Sequence, residues 1–139
     1  MNTLQISAAP RRLALALLAA LALAGCANIG RTPEEVVTQR VEQRWDALIA
    51  GNFEKAWEYT QPAYRGAVKQ ADYRKQFGSA AQWRGIQVHS VECEAERCKV
   101  RIRLTTRMLM PPFRNQEVST AIDEVWVRED SQWWFYQSF

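Results

Sequence analysis

From Lys99 to Leu104 the chain reads Lys-Val-Arg-Ile-Arg-Leu, and the basic set resumes at Arg107 beside the apolar Met108. Successive strand residues point to opposite faces. This stretch is therefore a strand with one apolar and one basic face, and the apolar face needs a second layer to cover it. Three further segments carry strand signals: Ile86–Glu92 before it, then Glu117–Arg128 and Gln132–Phe139. Met110-Pro111-Pro112-Phe113 and Asn115 interrupt the pattern between the second and third strands, and Asp130-Ser131 makes the last turn.

Upstream of Ile86 the apolar spacing is helical. Thr32 reads as an N-cap, Pro33 suits the first helical position, and Glu35 completes a capping box. Val37, Val41, Trp45 and Leu48, with Ile49 beside them, recur at helical spacing until Gly51. Asn52 caps a shorter helix through Phe53, Ala56, Trp57 and Thr60, which Pro62 is expected to stop. A third amphipathic piece runs from about Gln70 to Phe77 and closes at Gly78. Helices followed by an antiparallel meander predict an α+β domain.

The N-terminal segment sets the address. Arg11-Arg12 precedes an unbroken Leu/Ala run from Leu13 to Ala24, and Leu23-Ala24-Gly25-Cys26 ends it. The run has signal-peptide length, short of the roughly 20 residues of a membrane-spanning helix. The ending resembles the bacterial lipobox, in which the cysteine takes a diacylglycerol before cleavage on its N-terminal side. The resemblance implies a signal peptide over residues 1–25 and a lipidated Cys26, a palmitate-bearing lipoprotein anchor. Residues 26–32 then serve as a tether and 33–139 as the domain. Ala27 after the cysteine points, by the same resemblance, to the outer membrane and a domain facing the periplasm. Arg11-Arg12 also weakly resembles a twin-arginine signal, although a basic n-region needs no such explanation.

Cleavage there changes the charge account. The signal holds two of the 18 basic residues and none of the 15 acidic ones, so the mature chain carries 16 against 15, a net +1. The basic character of the precursor thus gives no ground for a nucleic-acid partner. Of three cysteines, the anchor takes one. Cys93 and Cys98 remain, separated by Glu94-Ala95-Glu96-Arg97 between two strands in an oxidising compartment, and are expected to form a disulfide across the hairpin. A metal site with His89 is disfavoured, because His89 and Cys93 would stand about 13 Å apart along a strand.

The mature segment resembles the nuclear-transport-factor-2-like superfamily, the cystatin-like α+β cone. RWDALIAGNFEKAWEYTQPAYR is similar to its first two helices, DYRKQFG to its third, and VWVREDSQWWF to its closing hairpin. The resemblance covers residues 33–139 and is nearest to bacterial lipoproteins that carry this fold. It implies N-terminal helices packed on a curved antiparallel sheet that encloses a pocket. In ketosteroid isomerases, scytalone dehydratase and polyketide cyclases that pocket is catalytic; in other members it takes a ligand or a protein. These motifs are structural, and they speak for fold more than for function.

Chemistry is sparse in the sequence. There is no G-x-S-x-G, H-E-x-x-H, Gly-rich phosphate loop or C-x-x-C, and neither a metal nor a cofactor is expected. Asp123-Glu124 lies mid-strand, so one carboxylate should face inward. In an apolar pocket it could act as acid or base for an isomerase, dehydratase or cyclase. The competing reading is a structural ion pair, since an antiparallel register brings Arg101 and Arg103 near the pair. Trp57, Tyr64, Tyr73, Trp83 and Trp126 are candidate pocket walls, or equally core. The stripe Lys99, Arg101, Arg103 and Arg107 reads either as a site for an acidic envelope polymer or lipid head group, or as a solvated face balancing its own acids. The last strand is aromatic on both faces, Trp133, Phe135 and Phe139 against Trp134 and Tyr136. Its outer face needs cover from a second subunit through the sheet, from the chain's own helices, or from the Met110–Phe113 loop. The leading expectation is an envelope lipoprotein with a ligand- or protein-binding domain; the alternative is an enzyme using Asp123 or Glu124.

Overall fold

A computed structural model describes residues 30–79 and 81–139, without the side chain of Ala81. Residues Thr32–Phe139 form one compact unit. Helix α1 spans Pro33–Ile49 and opens with the expected capping box: the Thr32 hydroxyl accepts from the Glu35 N–H, and the Glu35 carboxylate accepts from the Thr32 N–H. Gly51 takes φ +74° just past its end, a conformation that favours glycine. Asn52 caps α2 (Phe53–Trp57) by accepting from the Lys55 N–H.

Pro62 does not merely stop that segment. It starts another helix, α3 (Pro62–Ala67), in which proline sits in the first turn where its missing N–H costs nothing. The third predicted piece is α4 (Gln70–Tyr73) continued by a 3₁₀ turn, Arg74–Gln76.

Four antiparallel strands follow in the order β1-β2-β3-β4: Ala81–Glu94, Arg97–Met108, Glu117–Glu129 and Gln132–Phe135. β1 begins five residues earlier than its periodicity suggests. Register shifts between Trp83 and Gly85 and between Val88 and Ser90 leave Arg84 and His89 as extra residues, so alternation fails in the sequence while pairing continues. Such bulges bend a strand and strengthen its twist, which is how the long hairpin curls over α1. The final strand ends at Phe135, short of the predicted Phe139. Its outer edge is closed by the segment after α2. The Phe135 N–H donates to the Tyr59 carbonyl at 2.8 Å, and the Gln61 N–H donates to the Phe135 carbonyl at 3.1 Å. This bridge covers the edge at Phe135, where a further strand would otherwise pair.

α1 packs chiefly on β1. Its buried stripe of Val37, Val41, Trp45 and Leu48 shares one core with Val100, Ile102 and Leu104 of β2 and Trp126 of β3. The alternation of β2 is realised: Cys98, Val100, Ile102 and Leu104 are buried, while Lys99, Arg101 and Arg103 are exposed. The result is the expected α+β architecture, helices on the concave face of a curved antiparallel sheet.

Candidate functional site

Asp123 and Glu124 separate to the two faces of β3. Their neighbours across the ladder are Arg101 and Val100, respectively. Asp123 faces solvent and takes a two-point contact from Arg101, Nε to Oδ1 at 2.7 Å and Nη2 to Oδ2 at 3.0 Å. That contact holds its carboxyl below the usual carboxylate range. Arg103 does not join the ladder as expected; it stands opposite Ala121.

Glu124 turns inward and is 5% exposed. Its Oε1 accepts from Arg44 Nη1 at 2.9 Å and from Trp45 Nε1 at 2.8 Å, and its Oε2 accepts from Trp126 Nε1 at 3.0 Å. Arg44, itself 4% exposed, also donates from Nη2 to the Tyr73 hydroxyl at 3.2 Å. Its guanidinium carbon lies 3.7 Å from the Phe135 ring centroid. Burial pushes the Tyr73 phenol up. The partner of the inward carboxylate is thus a helix residue 80 positions away. The signal for Arg44 lies in the α1 stripe itself, because Arg44 sits at Val41+3 on the side that carries Trp45 and Leu48 into the core.

A cleft of about 380 Å³ opens beside this cluster, between α1 and the end of β4. Arg44, Trp45, Phe77, Phe135, Tyr136 and Gln137 are among its walls; Glu124 also lines it, and Asp123 borders it with its carboxylate engaged by Arg101. A larger groove of about 520 Å³ runs between α1 and β1, but its Glu42, Gln87 and His89 are exposed and no buried polar group converges there. The first cleft is the better candidate site, since small-molecule sites combine apolar walls with a few fixed polar groups.

The five aromatic wall candidates are placed elsewhere. Tyr64, Tyr73 and Trp126 are buried in the core. Trp57 is half-buried and donates from Nε1 to the Val68 carbonyl at 3.0 Å. Trp83 packs edge-on against Trp45 and Phe77, at centroid distances of 5.7 and 5.4 Å. None of the five lines the cleft. Its aromatic walls are Trp45 of the α1 stripe, Phe77 at the end of the third helical piece, and Phe135 and Tyr136 from the predicted last strand.

The remaining candidates resolve as follows. Cys93 and Cys98 are directly opposed across the first hairpin and joined in a disulfide. Cys26 lies outside the described residues. In the basic stripe, Arg101 is held by Asp123, and Arg107 approaches Glu117 at 3.8 Å; Lys99 faces Glu92 across the ladder. Much of this face therefore balances its own acids. On β4, Trp134 is half-buried and covered within the chain. The Arg40 and Arg65 guanidinium carbons lie 5.2 and 4.5 Å from its ring centroid, so α1 and α3 supply this cover and not the Met110–Phe113 loop. Met110 and Phe113 stay 59% and 55% exposed. Burial, more than the neighbouring Arg65, lowers the pKa of Arg40.

Three solved structures share the architecture. A SEC-C motif containing protein from Rhodopseudomonas palustris matches with a TM-score of 0.54 and 18% identity, over 68% of this chain and 70% of that one. A second, from Psychrobacter arcticus, gives 0.58 and 12%, over 81% and 64%. TsrD from Streptomyces laurentii gives 0.52 and 18%, over 76% and 90%. No protein-family model matches the chain, and no curated protein matches it. At these identities the likeness establishes the fold and leaves function to the site.

Proposed function

We propose that the chain is a lipid-anchored protein of the bacterial cell envelope whose α+β domain binds a ligand or partner without transforming it. The anchor half of the reading rests on Leu23-Ala24-Gly25-Cys26 after a short apolar run. Ala27 favours the outer membrane, and two or three acyl chains make a stable anchor where one would be marginal. The binding half rests on one observation: both oxygens of the inward carboxylate are engaged, by a guanidinium and two indoles. A general base needs a free acceptor within reach of the proton it removes. Oε1 already accepts two bonds and Oε2 one, so only the second lone pair of Oε2 could take a proton, and taking it would neutralise the charge that holds the buried Arg44.

One observation favours the alternative, a small-molecule isomerase, dehydratase or cyclase: Glu124 lines the cleft. Purification of the full chain from native envelopes in detergent, followed by mass spectrometry, separates the two. The binding reading expects a stoichiometric molecule or protein whose mass and chromatographic behaviour stay constant on incubation. Recovery of two interconverting species, with interconversion abolished by Glu124→Gln, overturns it.

A further inference from the structure

The hairpin of β2 and β3 runs on past the core. Leu104 is the last buried residue of β2, and residues 117–121 of β3 are exposed throughout, so no layer covers this end of β3. The loop over residues 109–116 closes on itself. The Met108 N–H donates to the Gln116 carbonyl at 2.9 Å, the Asn115 N–H to the Met108 carbonyl at 2.8 Å, and the Gln116 N–H to the Phe113 carbonyl at 3.0 Å. Leu109, Met110 and Phe113 stand on this tip, with Val118 just behind it; they are four of the six large apolar side chains left exposed among the described residues. Single exposed apolar residues are ordinary, but clustering in one place marks an interaction surface. The charge around the tip is one-sided. Residues 81–87 and 103–121, which pair at this end of the sheet, hold Arg84, Arg103, Arg107 and Arg114 against a single acid, Glu117. Arg84 and Arg107 share Glu117 at 3.9 and 3.8 Å. Arg103 faces Gln87 and Ala121 across the ladder. Like Arg114, it enters no ion pair among the described residues.

We propose that this hairpin tip docks on an anionic lipid bilayer, with Leu109, Met110 and Phe113 entering the boundary between head groups and acyl chains and the arginines meeting lipid phosphates. The spacing fits. Arg107 stands two residues behind Leu109, about 7 Å along a strand, and interfacial elements sink about 5–10 Å into that boundary. The loop's own hydrogen bonds spare the backbone groups they pair the cost of entering an apolar medium unmatched. Three side chains on a hairpin tip fall short of a stable protein interface, which takes about 800 Å² from each partner; a bilayer demands no shape match. The proposal goes beyond the ligand- or partner-binding reading and holds whether or not Cys26 is lipidated.

A nitroxide attached through Met110→Cys reads insertion at the tip itself. The full chain carries Cys26→Ser, so that neither an acyl anchor nor a further reactive thiol enters the result. A local depth is needed because the apolar run from Leu13 to Ala24 can itself hold the chain on vesicles. The vesicles are phosphatidylcholine alone, or equal parts of phosphatidylcholine and phosphatidylglycerol. In the mixed vesicles, power-saturation electron paramagnetic resonance should find the label open to oxygen and shielded from an aqueous nickel chelate. A label attached through Glu129→Cys, at the other end of β3, should stay aqueous. Arg107→Gln combined with Arg114→Gln should lower the ratio of inserted to aqueous label by about tenfold or more, since each basic side chain near an anionic surface is worth roughly fivefold. Phe113→Ser should lower it by about tenfold. These positions lie outside the core, and an unchanged near-UV circular dichroism spectrum checks that the variants stay folded. The proposal is overturned if the Met110 label is aqueous in the mixed vesicles, if it inserts equally in phosphatidylcholine alone, if the Glu129 label is shielded as deeply, or if the arginine substitutions leave the ratio unchanged. An aqueous Met110 label broadened by a neighbouring label would overturn it in favour of a second copy of the chain.

Discussion

The Arg44–Glu124 pair can be tested by a double-mutant cycle. Both side chains are almost fully buried, so deleting either partner strands the other without a countercharge. Breaking a buried pair in this way costs roughly 3–5 kcal/mol. Arg44→Met should lose about that much. Glu124→Leu should lose at least as much, because the indole N–H groups of Trp45 and Trp126 lose their acceptor along with Arg44. The double variant removes both charges and leaves three groups orphaned, the two indoles and the Tyr73 hydroxyl, at roughly 1–3 kcal/mol each. Its loss should therefore fall short of the summed single losses by about 1–3 kcal/mol. Against a total stability of about 5–15 kcal/mol, each single variant is a large fraction. Its melting temperature should drop by roughly 12 °C or more. Urea titrations followed by tryptophan fluorescence and near-UV circular dichroism read these values. A loss below about 1 kcal/mol for Arg44→Met, or additive single effects, would refute the placement of a buried ion pair at the centre of the fold.

Two further predictions are smaller. Replacing Cys93 and Cys98 together by Ala should cost about 2 kcal/mol, as expected for closure of so short a loop; the parent chain should show no free thiol at either position without reductant. Arg101 depresses the Asp123 pKa in the folded state, so this pair stabilises the fold above the unfolded pKa of about 3.9. That contribution is lost as pH falls through the lower folded value. Asp123→Asn should accordingly be less stable than the parent at pH 6, by a small margin for so exposed a pair, and the gap should close as the pH is lowered below 3. A gap that persists at low pH would refute the assignment.

Local signals carried much of this fold. The capping box at Thr32–Glu35 and the stripe from Val37 to Leu48 describe α1 without further information, because both are set within a few turns of chain. The strict alternation from Lys99 to Leu104 describes β2 for the same reason. Where the sequence misled, a local signal had two meanings or the cause was distant. Proline ends one helix and begins the next equally well, so Pro62 was readable either way. The bulges at Arg84 and His89 hide the start of β1 by breaking its period. Tyr136–Phe139 has strand composition, but β4 pairing ends at Phe135. The site suffered most. That one of Asp123 and Glu124 faces inward follows from strand geometry; that its partner is Arg44 depends on packing across 80 residues. An arginine within an apolar helical stripe is the trace such a partner leaves.

The anchor is the claim on which the cellular reading depends, and Cys26→Ser tests it most directly. Cells expressing the parent or the variant are labelled with an alkynyl palmitate analogue, and the chain is followed in membrane and soluble fractions. The parent should carry label and sediment with membranes, and the variant should carry none and shift to the soluble fraction. A Cys26→Ser chain that remains labelled and membrane-bound would contradict the account.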